Sequence, residues 1–180
     1  LDEHFRSRTN IIQFSNKMFY DNELKLIRSN PSEDSYKSVQ IIPCNGTRNA
    51  TGNNELETEI LLQKLTEIMD TYEDVNPSFI PSIGIISPFA QQIKYIKKKL
   101  AEQFDLSQLK KHKVLVGTPF HFQGEERDYM LISFCIDNQS HKASINYLNK
   151  KDIFNVLITR ARNQQLLFTS FNSKQLPAKS

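Results

Sequence analysis

Three short runs, Ile83-Gly84-Ile85-Ile86, Val114-Leu115-Val116 and Tyr129-Met130-Leu131-Ile132-Ser133-Phe134, are apolar almost without interruption instead of alternating with polar residues. A strand tolerates that pattern only when both of its sides are covered, as in a parallel sheet flanked by helices. Between the runs the period changes. Leu56, Ile60, Leu61, Leu65, Ile68 and Met69 recur at three and four over residues 54–72, and Phe89, Ile93, Ile96 and Leu100 repeat the pattern after Pro88. Val39–Pro43 reads as another strand, and residues 45–54, with Gly46 and Gly52, as a loop. Thr9-Asn10 can cap a short helix carrying Ile11, Ile12, Phe14, Met18 and Phe19, followed by a polar loop through Ser35. The last helix is expected over about Lys150 to Arg162, leading into a strand at Leu166–Thr169. This alternation predicts an α/β fold: a mostly parallel sheet with right-handed crossovers and helices on both faces.

At 180 residues the chain fits one domain, able to bury roughly 70% of its unfolded surface without disulfide or metal. Cys44 and Cys135 lie in apolar runs and read as small buried hydrophobes of a reducing compartment. No apolar run approaches the ~20 residues that span a bilayer, and Leu1-Asp2-Glu3-His4-Phe5-Arg6 lacks the order of a signal peptide, so a soluble, intracellular protein is expected, with no membrane partner. A net charge of +3 does not argue for nucleic acid by itself. Lys94, Lys97, Lys98 and Lys99 lie on one expected helix and Lys110, Lys111 and Lys113 in the next loop, a distribution that reads as a solvated face, with a phosphate track as the alternative.

In a parallel sheet, ligands collect where strands give way to helices and loops. Ser87-Pro88-Phe89 occupies one such position, and the turn Gln123-Gly124-Glu125-Glu126-Arg127-Asp128 another. Glycine permits backbone geometry closed to other residues, and carboxylates accept hydrogen bonds from sugar hydroxyls. Arg160 and Arg162 end the last apolar helical stripe. Arginine's planar fork suits phosphate oxygens, whereas the bland reading is a helix end stabilised by cations. His4, His112, His121 and His141 show no metal-ligand spacing, and Ser87 sits in no nucleophile elbow.

Taken together and in order, these segments resemble the second RecA-like domain of superfamily 1 helicases, in the branch that includes the nonsense-mediated-decay RNA helicase and the replication helicase-nucleases. His4-Phe5-Arg6-Ser7 is similar to the family's Tyr-Arg signature. Ile86-Ser87-Pro88-Phe89 with Gln92 resembles its Thr-Pro-Tyr and glutamine segment, and Asn54-Glu55-Leu56-Glu57 the start of a family helix. Thr118 with Phe122-Gln123-Gly124-Glu126-Asp128 resembles the fifth motif, and Tyr147-Leu148-Asn149 with Asn155 to Arg162 the sixth. Phe120 stands where the fifth motif usually has aspartate or histidine, and Asp152 where an arginine is common.

The resemblance implies that Arg6 and Arg160 reach the γ-phosphate of ATP held between two RecA-like domains, and that Glu126, with Gly124 beside it, meets the ribose. It also implies that Ser87, Pro88, Phe89 and Thr118 line the groove for single-stranded DNA or RNA, with Gln123 linking the two sites. Gly46, Gly52, Gly84, Gly117 and Gly124 form no phosphate-binding loop, and no acidic pair follows an apolar strand, so the chain is not expected to hydrolyse ATP alone. Residues 1–180 are therefore expected to be one domain of a longer protein, with 1–8 joining it to a first motor domain that binds most of the ATP and Mg2+. The alternative is a docking module that keeps the helicase shape without turnover. An unrelated receiver or nuclease would need clustered acids at strand ends, and Asp105, Asp128 and Asp137 form no such pattern.

Overall fold

The computed structural model describes residues 3–4, 25–26, 39–148 and 150–171, with the side chains of residues 3, 4, 25, 26, 151 and 154 left aside. Glu3–His4 (β1) and Lys25–Leu26 (β2) pair in parallel, the latter a two-residue strand inside the stretch expected to be loop. Arg6 and the helix expected around residues 11–19 lie outside the described residues.

The main sheet has five strands: Val39–Pro43 (β3), Ile83–Ile86 (β4), Leu115–Gly117 (β5), Arg127–Asp137 (β6) and Ala161–Ser170 (β7). Their order is β3-β7-β6-β4-β5 and every pairing is parallel. The α/β architecture read from the continuous apolar runs is the one observed. Helices Glu55–Thr71 (α1) and Ala90–Gln103 (α2) cover one face, where Leu61, Leu65, Ile96 and Leu100 pack on Ile83, Ile85, Leu131, Leu166 and Phe168. Lys151–Ile158 (α5) covers the other, where Ile153, Leu157 and Ile158 meet Met130, Ile132, Phe134 and Leu167. Side chains alternate across each strand. Residues 131, 133 and 135 of β6 therefore look toward α1, and 130, 132 and 134 toward α5.

Two short helices were not anticipated. Leu106–Lys111 (α3) takes up Lys110 and Lys111, expected in a loop, and begins where Asp105 N–H donates to Gln108 Oε1 at 3.0 Å. Lys142–Leu148 (α4) precedes α5. A larger correction concerns the last helix, which stops at Ile158. The Thr159 hydroxyl and amide both bond to Asn155 O, at 2.7 and 3.1 Å, and close the final turn. Arg160 thus lies outside the helix, and Arg162 is the second residue of β7, whose pairing with β6 begins at Ala161. Among the described residues no helix is long and apolar enough to cross a membrane.

Candidate functional site

Parallel strands give the sheet two chemically distinct edges, and the motif residues divide between them. At the edge where β6 and β7 begin, Arg127 N–H donates to Arg160 O at 3.0 Å, so the end of the α5 turn is tied to the turn carrying Glu126. Arg162 reaches Glu126 Oε2 at 3.5 Å and Asp128 Oδ1 at 3.7 Å. Arg127 bonds Glu125 Oε2 at 2.7 Å and Glu126 O at 2.8 Å. Asp128 also holds the entry to β4 with its second oxygen: its Oδ2 accepts from Ser82 N and Ser82 Oγ at 2.8 and 2.7 Å, and its own amide donates to Ser82 Oγ at 3.1 Å. Arg160, Glu126 and Gly124 are thereby brought to one rim. Gly124 has φ +79 and open space around it, a conformation glycine adopts without the cost a side chain would incur.

At the opposite edge, where strands end, Ser87 N–H donates to Gly117 O at 3.3 Å, so the Ser87-Pro88-Phe89 and Thr118 turns stand side by side. They are not equally accessible. Ser87 is 0% exposed and its hydroxyl accepts from Phe89 N at 3.4 Å, and Pro88 is buried as well. These two shape the turn from within, while half-buried Phe89 and Thr118 reach its surface. Thr118 begins a 3-10 turn, Pro119–Phe122, in which its N–H and Oγ1 lie 3.3 and 3.1 Å from His121 Nδ1. Phe120, at the departure from the family motif, is 65% exposed.

The segment 118–126 runs from the second edge back to the first. Its anchor is Phe122, fully buried against β4. Gly84 makes room for it: a Cβ there would lie 2.9 Å from Phe122 Cε1 and 2.3 Å from Met130 Sδ. Gln123, exposed at the end of the 3-10 turn, sits on this connection with Gly124.

Beneath the strand-end edge lies a buried polar network whose centre no motif role had assigned. Glu57, in the first turn of α1, is 0% exposed. Its Oε1 accepts from Ser133 Oγ at 2.7 Å and Cys135 N at 2.8 Å, and its Oε2 from Ser170 Oγ at 2.9 Å and Asn54 Nδ2 at 3.4 Å. Asn54 caps α1 by accepting from Glu57 N at 3.0 Å. Gln92 of α2 joins in, accepting from Asn54 N at 2.9 Å and donating to Thr58 Oγ1 and Ser133 Oγ, both at 3.0 Å. Burial pushes the Glu57 carboxyl up to about 7 against the pull of these donors. The network also fixes a break in β6. Cys135 has φ +51, and the β6–β7 register shifts between Ser133 and Asp137.

Residues 1–171 match the family model described as AAA domain. The chain belongs to this AAA domain family, of the kind typical of superfamily 1 helicases. The five-stranded parallel sheet is the RecA-like α/β form of that AAA domain. Among curated proteins, mov-10-B.1 of Danio rerio is 27% identical over 186 residues, covering 89% of this chain and 18% of its own length. Helicase SEN1 of Saccharomyces cerevisiae is 28% identical over 178 residues, covering 90% of this chain and 8% of its own. A regulator of nonsense transcripts 1 homolog of Arabidopsis thaliana is 37% identical over 84 residues, covering 46% of this chain and 6% of its own. The AAA domain thus spans less than a fifth of the length of each of these three relatives, and it is a helicase-family domain.

Proposed function

We propose that the chain is the second RecA-like motor domain of an ATP-dependent helicase, acting on single-stranded DNA or RNA together with a first RecA-like domain that holds most of the ATP and Mg2+. The observation that carries this reading is the 3.0 Å bond from Arg127 N–H to Arg160 O, which sets Arg160 and Glu126 on neighbouring segments of one rim. A rim of arginines beside a carboxylate fits the outer side of a nucleotide. Guanidinium groups match γ-phosphate oxygens, and a carboxylate accepts from ribose hydroxyls. Arg160, with Arg6, takes the phosphate role, and Glu126 and Gly124 the ribose role. Bound ATP supplies the phosphoryl group, and this chain's arginines stabilise the charge that develops on it.

At the opposite edge, Phe89 and Thr118 form the accessible part of the strand groove, set in place by buried Ser87 and Pro88. Gln123 lies on the segment that joins the two edges. Closure of the interdomain cleft around ATP, followed by release, shifts this grip along the strand. Arg160→Ala in the intact protein tests the assignment. ATP binding should be retained while strand-stimulated hydrolysis falls by about a thousandfold. Turnover at the parental rate would remove Arg160 from the role.

A further inference from the structure

The strand-end edge holds a second feature that the helicase motifs leave unused. Arg48, from the loop between β3 and α1, places its guanidinium carbon 4.1 Å from the centre of the Phe89 ring. Phe89 in turn meets Tyr147 of α4, with ring centres 6.0 Å apart and planes tilted by 42°. The Lys150 ammonium lies 5.4 Å from the centre of the Tyr147 ring. The result is a stack of cation, two rings and cation.

The loop carrying Arg48 is held in place without the stack. Asp137 Oδ2 accepts from Arg48 N at 2.7 Å, and Asn49 Oδ1 accepts from Thr51 N, Thr51 Oγ1 and Asn53 N at 3.1, 2.7 and 3.0 Å. The guanidinium has five donors, of which Nη1 bonds Ser144 Oγ at 3.1 Å. No carboxylate among the described residues pairs with it or with Lys150. A half-buried cation held over a ring, with no counter-ion among the described residues, is poised for an anion from outside. Stacking orders the guanidinium in advance, so less freedom is lost when it engages phosphate.

We propose that Arg48 and Lys150, separated by the Phe89–Tyr147 pair, grip the phosphate backbone of the single strand at this edge. The proposal rests on the helicase-domain reading of the same edge and adds two residues to it. It also accounts for why a loop outside the motifs closes over the motif phenylalanine.

The test is binding of fluorescein-labelled oligothymidylate and oligouridylate to the intact protein, followed by anisotropy across a salt series without ATP. Each lost phosphate contact should lower the slope of log affinity against log salt by about 0.7. Arg48→Ala and Lys150→Ala are each expected to show that decrease, and the double variant about twice as much. Arg48→Lys should keep the parental slope, because the charge remains. Lys150 is exposed, so its variant reports even if Arg48→Ala disturbs the loop. Parental slopes in both alanine variants, with a parent protein that binds, would overturn the proposal alone. A parent that binds neither oligonucleotide at any salt would overturn the strand-groove reading of this edge beneath it.

Discussion

Replacing Glu57 by glutamine isolates the energetics of one buried carboxyl. Its folded-state pKa of about 7 lies above its ordinary 4.5. Between these values the folded chain holds a proton that the unfolded chain releases, so this group's contribution falls as pH rises and levels off above the folded value. At 1.36 kcal/mol per unit, the loss amounts to about 3 kcal/mol. Glutamine cannot ionise and removes that dependence. It carries a cost of its own, because one oxygen becomes an NH2 group. Cys135 N at 2.8 Å and Asn54 Nδ2 at 3.4 Å are fixed donors, one on each oxygen, so the NH2 meets a donor on either side, and the longer Asn54 contact is the one it displaces most cheaply, at about 1–2 kcal/mol. The variant should therefore be less stable than the parent near pH 5 and match or exceed it near pH 8. The difference between the two should move by about 3 kcal/mol, or roughly 6–12 °C in Tm for a chain of this size.

His112 works in the opposite direction. Burial holds its imidazole below the ordinary value, so it adds stability above pH 6.5 that is lost as pH falls. Asp137 is buried, yet its hydrogen bonds hold it below its ordinary 3.8, under the range scanned. Both groups are common to parent and variant and cancel in the difference. Urea unfolding at half-unit intervals from pH 5 to 8 measures it. A parent-to-variant difference that does not change with pH would refute the account of Glu57.

Gly84→Ala should destabilise the fold by about 1–3 kcal/mol through overpacking against Phe122 and Met130, seen as a lower urea midpoint with unchanged slope. Gly124→Ala meets no atoms and should cost only about 1 kcal/mol of backbone strain in the same measurement. Asn54→Ala loses the α1 cap and leaves Glu57 without one donor, with an expected loss of about 1–3 kcal/mol by thermal unfolding. Burial, then the nearby Glu57 charge, pushes the thiols of Cys44 and Cys135 up to about 12. In the native state both should resist a disulfide reagent at pH 8 and react after denaturation, as followed by absorbance.

The strands and long helices were readable because burial leaves a local trace. Ile83–Ile86 and Tyr129–Phe134 are covered on both sides, so their apolar character is continuous. The first half of β7 left no such trace: Arg162 and Asn163 are exposed, and Gln165, though buried, is a polar residue whose Nε2 donates to Leu157 O at 3.0 Å. That polar stretch favoured extending the preceding helix to Arg162. The rim that joins Arg160 to Glu126 depends on pairing between strands far apart in sequence, although the order of motifs pointed to it. Glu57 was harder still. An acid in a helix's first turn ordinarily faces water, and its partners Ser133 and Ser170 lie 76 and 113 residues away.

The seat of Phe122 against Gly84 has a mechanical consequence. The segment 118–126 is pinned near its midpoint by Phe122 and wound into a 3-10 turn over Pro119–Phe122, so the two rims are joined by a short, anchored link. On the proposed function, a displacement of the Thr118 turn by a bound strand would reach Gln123 and Gly124 by pivoting about the buried Phe122. Lengthening that link by a residue or two is expected to leave both rims intact while weakening any motion passed between them.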